Sequence, residues 1–374
     1  MPIRGMHKAD GQLTAFKFER ISSFEGSRIM IPCCFHPTRV VIVNDCHDLM
    51  NLFDDHLPRS HMTFDTFNSP YKALHYINEV YQPDPFYDRY RVKKEERSRK
   101  NRRQEIQVVD THHEIYRPQR FDEISTVVMD YAPISENSGM SAEMTGLEFL
   151  EKVENPHIQK ILLIGEEDEE MATQALSKGL IHDFICKQAL DWEEHFYEVL
   201  QDAQWRYFNK LSEIFMGTIC SGNVKEYALN DPNFQKFFKS ILSNYGFTEA
   251  YLCETTGSYL FLDDQAQDHG LVVNIADQLD HWVRTGQTKG ISLSLLKALK
   301  DRKKMMCYHA LFEGLEPDKS HWEIYAHPVK TIKGQQNTYY YAFAPNMYDI
   351  DVERILPFEE YRENQQRKTG RRLH

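Results

Sequence analysis

Residues 125–133 read Ser-Thr-Val-Val-Met-Asp-Tyr-Ala-Pro, a run of strand-forming side chains that leads into an aspartate, Asp130. Pro133 then turns the chain into a polar loop that extends to about Gly146. In open α/β sheets, ligands bind at the carboxyl ends of buried parallel strands, so a carboxylate in this position is a candidate for chemistry. Acidic residues at strand ends also cap helices, and the role of Asp130 therefore depends on the sequence around it.

Four further stretches have the composition of strands, and stretches with helical spacing alternate with them. Strands are predicted at residues 39–43, 62–67, 161–164 and 183–186. Apolar residues recur at spacings of three and four at residues 47–57, 71–81, 147–153 and 172–176. This alternation predicts an α/β fold, a five-stranded doubly wound parallel sheet with right-handed crossovers.

Polar residues follow the predicted strands and would meet at one edge of such a sheet. Asn44 and Asp45 follow the first strand, Gly165 follows the fourth and Lys187 follows the fifth. Clustered carboxylates repel each other unless a cation lies between them, and oxygen ligands suit Mg²⁺. A lysine beside them would balance the charge of an incoming phosphoryl group. This group of residues predicts transfer of a phosphoryl group onto a carboxylate. In that reaction the protein mainly positions the reacting groups and neutralises their charge.

In the order of its motifs, the region from residue 39 to about residue 200 resembles the receiver domain of two-component response regulators. The motifs are VVIVND (40–45), VVMDYAP (127–133), GLEFL (146–150), ILLIG (161–165) and DFICK (183–187). The resemblance implies that a partner histidine kinase phosphorylates Asp130 and that Mg²⁺ is held by Asn44, Asp45, Asp130 and the backbone carbonyl of Ala132. It also implies that Lys187 contacts the phosphoryl group and that Phe184 is an aromatic switch that turns inward on activation.

The sequence departs from the receiver pattern at positions that bear on this chemistry. Asn44 replaces an acid, which lowers the charge of the site and weakens the metal. Gly165 stands where the family has a Thr or Ser hydroxyl that couples the phosphoryl group to the switch, and Gln188 replaces a proline. A receiver-like module that has lost or altered its phosphochemistry is therefore the alternative to a phosphorylated regulator.

The length of 374 residues predicts two domains or slightly more. The predicted parts are an N-terminal extension (1–38), the receiver (39–200), a connector helix (189–220), an α+β output domain with a mostly antiparallel sheet (221–361) and a basic flexible tail (362–374). The connector helix carries an apolar stripe, which is typical of a homodimer interface. Burial of the stripe within the same chain is an equal alternative.

An insertion at residues 83–124 stands where a compact α/β unit uses a short loop. Its middle, residues 89–103, carries nine Lys or Arg and two Glu. One interpretation is an arm that contacts nucleic-acid phosphates through Arg97, Arg99, Lys100, Arg102 and Arg103. The other is a solvated insertion or surface helix, which the net charge of -12 for the whole chain favours.

Composition excludes several classes of protein. The hydrophobic fraction of 41% is that of a globular chain, and no run reaches the roughly 18 to 20 apolar residues of a membrane span. The seven scattered cysteines favour a reducing compartment, and the first residues lack the apolar stretch of a secretory signal, so a cytoplasmic location is predicted. The output region contains no Walker loop, HExxH or GxSxG motif, and no enzyme is predicted.

The long N-terminus, the receiver insertion and the non-standard output domain are similar to the architecture of response regulators of bacterial α-hydroxyketone quorum-sensing systems, as is GSYLFLD at 257–263. The predicted function is that of a response regulator that signals through dimerisation or release of its output domain, for which DNA or a nucleotide is a candidate partner. The alternative is a receiver-like scaffolding or nucleic-acid-binding protein without phosphotransfer.

Overall fold

Two large sheets organise this chain in the computed structural model. The structure describes residues 31–44, 61–81, 108–132, 144–189, 192–219, 228–254, 256–307, 322–348 and 350–370. The predicted helix at 47–57, the basic middle of the insertion and most of the loop after Asp130 lie outside these ranges.

The first sheet has five parallel strands. Strand β1 (Cys34–Phe35) belongs to the second sheet, and the first is built from β2 (Thr38–Val43), β3 (Met62–Phe67), β4 (Ile124–Asp130), β5 (Gln159–Ile164) and β6 (Asp183–Cys186). Their order is β3-β2-β4-β5-β6, with every pairing parallel. All residues of the central strand β4 are buried, as expected for a β-branched run covered on both faces. The predicted doubly wound sheet is confirmed.

Helices cover both faces of the parallel sheet. The helices of one face are α1 (Pro70–His75), which continues as a π-helical turn to Val80, α2 (Gly146–Glu151) and α3 (Glu169–Ser177). Val127 and Leu162 face this layer. Their neighbours Val128 and Ile161 face the opposite layer and pack against the long helix α4 (Trp192–Ile219). Alternate residues of β4 and β5 therefore supply two separate cores.

Helix α4 belongs to both halves of the molecule. Phe196 and Leu200 in its first half pack on the parallel sheet. Trp205, Phe208 and Leu211 further along enter the apolar core of the second domain, where the ring centroids of Trp205 and Phe35 are 5.5 Å apart. As far as Leu211, the apolar stripe is buried within its own chain, which is one of the two alternatives predicted for it.

The second domain is an antiparallel sheet flanked by helices, which confirms the predicted α+β class. The elements are α5 (Pro232–Tyr245), β7 (Glu249–Glu254), β8 (Ser258–Leu262), β9 (Asp268–Asn274), α6 (Ala276–Lys289), α7 (Leu293–Lys300), β10 (Lys304–Met306), β11 (Ala326–Pro328), β12 (Lys330–Lys333), β13 (Thr338–Pro345) and α8 (Phe358–Gly370). The strand order of the sheet is β1-β7-β8-β9-β13-β12, and each pairing is antiparallel.

Strands β11 and β12 follow one another in the sequence but pair with different strands. Pro328 ends β11, which pairs with β10, whereas β12 pairs with β13. Residues 362–370 of the expected flexible tail are helical. Phe358 and Tyr361 anchor this helix, with ring centroids 5.1 and 5.2 Å from that of Phe121.

Two segments that precede strands of the parallel sheet in the sequence, one before β2 and one before β4, also pack in the second domain. Cys34 and Phe35 pair with Tyr251 and Ala250 of β7, as an edge strand of its sheet. The described end of the insertion forms two 3₁₀ segments, Val108–Tyr116 and Pro118–Asp122, and Ile115 is fully buried in the second core. The domain bounds stay a prediction, but in the residues described, segments that adjoin the parallel sheet in the sequence contribute to the apolar core of the second domain.

A buried ion pair joins the halves. The Arg120 guanidinium donates to Glu249 through Nε (2.8 Å) and one terminal nitrogen (2.9 Å), and both side chains are fully buried. Tyr251 donates its hydroxyl to the same carboxylate. Burial lowers the pKa of Arg120, whereas Glu249 and Tyr251 raise it, and its pKa lies above the ordinary value. The guanidinium therefore stays charged beside its carboxylate.

We expect Arg120→Met to lower the free energy of unfolding by about 3–5 kcal/mol, because it leaves the Glu249 carboxylate buried without its cation. Urea denaturation followed by circular dichroism measures the change. Arg367→Met is the matched control, since Arg367 pairs with Glu363 at the surface and should contribute about 0.5 kcal/mol or less. Equal small shifts in both variants would contradict the prediction.

Candidate functional site

Asp130 lies at the carboxyl end of β4, between the ends of β2 and β5. Its residue is 6% exposed. The next residue continues the sheet, since the Tyr131 amide donates to the Leu163 carbonyl at 2.8 Å. The Ala132 amide donates to Asp130 Oδ1 at 3.2 Å, which turns the chain around the carboxylate. Asp130 is thus fixed by the main chain at the edge where parallel strands place ligands.

Lys187 supplies the positive charge of the site. Its ammonium donates to Asp130 Oδ2 at 2.8 Å and to Oδ1 at 3.1 Å. The Lys187 amide donates to the Ile164 carbonyl at 3.1 Å, which extends the β5–β6 pairing and fixes the side chain's starting point. With its side chain 30% exposed, the ammonium contacts both the carboxylate and solvent. An anion that enters the site would meet this cation first.

Asn44 completes the contacts to the carboxylate. It follows β2, is fully buried and donates its side-chain amide to Asp130 Oδ2 at 2.9 Å. A second aspartate here would instead place two carboxylates within hydrogen-bonding distance. Asn44, in place of the family's usual acid, therefore replaces a repulsion between two carboxylates with a hydrogen bond. Protein groups alone hold the site together.

The described residues offer oxygen donors that suit a hard cation. They are the Asp130 carboxylate, the amide oxygen of Asn44 and the carbonyl of Ala132, which are the donor types that Mg²⁺ binds. Within the described ranges, no group of three His, Cys, Asp or Glu side chains is placed to hold a metal ion. Asp45, the second predicted carboxylate, lies outside those ranges. The donor set fits a cation that keeps several water ligands, and Mg²⁺ at this edge stays a prediction.

Gly146 also belongs to the site, although no role in it was predicted for this residue. Its amide donates to the Tyr131 carbonyl at 3.2 Å, and a Cβ atom here would lie 2.3 Å from the Asp130 carbonyl oxygen. The capping box of Thr145 and Glu148 starts α2 at this point. The sequence T-G-L-E contains this signal, since Thr and Glu three residues apart mark a helix start. A glycine therefore lets the returning chain contact the main chain of β4 at Asp130.

The two predicted switch positions are next in the candidate site. Gly165 follows β5, and the atoms nearest to a Cβ atom there would be those of the exposed Glu167 carboxylate, at 3.1 Å. Phe184 pairs with Leu162 in the sheet, is half-buried and packs against the core on the α1–α3 face. The switch role of both residues stays a prediction.

The residues predicted to contact nucleic acid lie outside the described ranges. Arg97, Arg99, Lys100, Arg102 and Arg103 are all in the part of the insertion that is not described. Their role as a phosphate-contacting arm also stays a prediction. In the described part of the chain, no helix has the length and apolar content needed to cross a membrane.

Comparison with solved structures finds a match over nearly the whole chain. The response regulator LqsR of Legionella pneumophila is 27% identical, with a TM-score of 0.73, and the match covers 90% of this chain and 97% of that one. A receiver domain from Clostridium thermocellum is 13% identical over 46% of this chain and 98% of its own, with a TM-score of 0.29. No protein-family model and no curated protein matches the sequence.

The match to the Legionella protein includes residues of both the parallel sheet and the antiparallel domain, since it leaves only a tenth of this chain uncovered. It is therefore a likeness in domain arrangement as well as in the receiver fold. The predicted resemblance of this chain to the response regulators is confirmed.

Proposed function

We propose that this protein is a two-component response regulator in which Asp130 accepts a phosphoryl group from a partner histidine kinase. The observation that supports the proposal is the convergence of three groups that are distant in the sequence. Asn44, Asp130 and Lys187 meet within hydrogen-bonding distance at the carboxyl ends of three strands. The similarity to a response regulator over 90% of the chain gives this convergence its functional context.

The geometry suits transfer to Asp130. A carboxylate oxygen of Asp130 would attack phosphorus as the bond from phosphorus to the kinase histidine nitrogen breaks, and that imidazole would take up a proton. Lys187 now contacts both carboxylate oxygens, so its ammonium can turn to the phosphoryl oxygens without leaving the site. Asn44 and the Ala132 amide keep the carboxylate oriented. Mg²⁺, held by Asn44, Asp45, Asp130 and Ala132, would supply neutralisation of phosphoryl charge.

We further propose that phosphorylation acts through a new contact between two copies of the chain, not through release of the output domain. Release would separate β1 from β7 and expose Trp205 and Phe208 of α4. It would also leave Glu249 buried without Arg120, which is more costly than a change at a surface. The surface of β5 and β6 near Gly165 and Phe184 is the candidate for the new contact. The resemblance of the sequence suggests that such a regulator serves an α-hydroxyketone quorum-sensing system.

Phosphorylation of Asp130 is tested with acetyl phosphate and MgCl₂ on the full chain. We expect intact mass spectrometry to detect the addition of one phosphoryl group, and Asp130→Asn to abolish it. Asp277→Asn, which removes an exposed acid from the first turn of α6, should leave the addition unchanged. Lys187→Ala should lower the extent of labelling. Equal labelling of Asp130→Asn and the unsubstituted protein would refute the proposed acceptor.

Asn44→Asp tests the metal site. Without Mg²⁺ we expect this variant to lose about 1–3 kcal/mol of unfolding free energy, because a hydrogen bond is replaced by repulsion between carboxylates. MgCl₂ should recover much of the loss and should stabilise the variant more than the unsubstituted protein. Urea midpoints with and without MgCl₂ measure both effects, with exposed Asn230→Asp as control. Loss of stability that MgCl₂ does not restore would argue against a cation at this edge.

The signalling step is tested with beryllofluoride, which mimics the phosphoryl group, in the presence of MgCl₂. We expect light scattering after size exclusion to detect dimers that Asp130→Asn cannot form, with unchanged hydrogen-exchange protection of residues 205–211. Loss of protection at residues 205–211 would support release instead. An unchanged oligomeric state would favour the scaffolding alternative, as would salt-dependent DNA binding that survives Asp130→Asn and is lost on deletion of residues 89–103.

A further inference from the structure

A cavity of about 180 Å³ lies in the second domain, far along the chain from Asp130. Its walls come from the antiparallel sheet, from the β10 segment and from helix α6. The volume is equivalent to about six water molecules at ~30 Å³ each. It is smaller than the roughly 300 Å³ at which sites for drug-sized ligands begin, so any ligand must be small.

Asn274 gives the cavity a polar group. It ends β9 and is only 5% exposed, and no described residue forms a hydrogen bond with its side-chain amide. It lies on the same side of the strand as Val272, two residues earlier, which also lines the cavity. A buried amide needs a hydrogen-bond partner, and the cavity is the place where water or a ligand can supply one.

Glu254 gives the cavity a negative charge. This half-buried residue ends β7, and the hydroxyls of Ser258 and Thr256 lie 3.2 and 3.3 Å from its Oε2 atom. These contacts fix the position of the carboxylate. Gln278 and the exposed His281 are the other polar residues of the lining, no Lys or Arg is among its described residues, and the Glu254 carboxylate therefore favours a cation.

Apolar and aromatic side chains form the remaining wall. Val272 and Met306 are buried, and Trp282 of α6 is half-buried. The Trp282 ring packs edge-on against buried Trp322, with centroids 5.7 Å apart, which limits its rotation. An indole attracts cations to its face, and the aliphatic groups favour a hydrocarbon chain. The wall thus suits a ligand that is apolar at one end and positively charged at the other.

We propose that this cavity binds a small molecule that carries a primary ammonium group on a short apolar chain. The ammonium would donate to the Glu254 carboxylate and to the amide oxygen of Asn274. The chain would contact Val272, Met306 and Trp282. Such a site would give the second domain a chemical input of its own, separate from phosphorylation of Asp130, and its test is independent of the phosphorylation assays above.

The test compares three four-carbon probes of similar size on the full chain: n-butylammonium, n-butanol and n-butyrate. With ¹³C-methyl-labelled methionine, we expect n-butylammonium to shift the Met306 resonance in a saturable way. The dissociation constants of n-butanol and n-butyrate should be higher by on the order of tenfold or more, because neither makes the charge-assisted bond to Glu254. Equal binding of all three probes, or a Met306 resonance that no probe shifts, would overturn the proposal.

Two variants separate the roles of the polar groups. Glu254→Gln keeps the shape of the side chain and should weaken n-butylammonium binding on the order of tenfold. Asn274→Leu, close in volume, should also weaken it. Asp277→Asn on the outer side of α6 is the control and should leave the dissociation constant unchanged. Circular dichroism establishes that each variant is folded. Undiminished binding to folded Glu254→Gln would exclude the assigned contact.

Discussion

The parallel pairing of β4 with both β2 and β5 is the constraint on which the site depends. Together with the pairing of β5 with β6, it brings the ends of these strands to one edge, so that Asn44 after β2 and Lys187 after β6 both contact Asp130 although they lie far from it in the sequence. None of these contacts would survive a shift of β4 by one residue, since its side chains would exchange faces. The apolar residues of β4, buried on both faces, fix that register. Hydrophobic burial thus determines the geometry of a polar site.

The charge balance of the site also differs from that of the receiver pattern that the sequence resembles. Asn44 donates a hydrogen bond to the same oxygen of Asp130 that Lys187 contacts most closely. The carboxylate therefore has a neutral and a cationic donor before any metal enters. A cation would bind in competition with protein donors and with less opposing charge than two aspartates would provide. This arrangement favours a stable resting site over a tightly bound metal.

Much of the receiver half could be predicted because its signals are local. Buried strands read as continuous apolar runs, and the crossover rules then determine which strand ends meet. The contacts between halves could not be predicted in this way. A two-residue strand such as Cys34–Phe35 has no periodicity, and Arg120 lies in a polar insertion that gives no sign of Glu249, 129 residues away. The tail rich in Glu, Gln, Lys and Arg suggested flexibility, but these residues favour helices once Phe358 and Tyr361 are anchored.

The contacts that α4, Arg120 and β1 make with the second domain restrict how this chain can be divided. A fragment that ends near residue 200 would lack Trp205, Phe208 and Leu211, and its Arg120 would lose Glu249. The complementary fragment would lack the edge strand beside β7 and would carry a buried anion without its counter-charge. Neither piece could be grafted onto another protein as an independent module. The two halves would therefore have to be inherited together. Genetic recombination that separated them would leave both without these contacts.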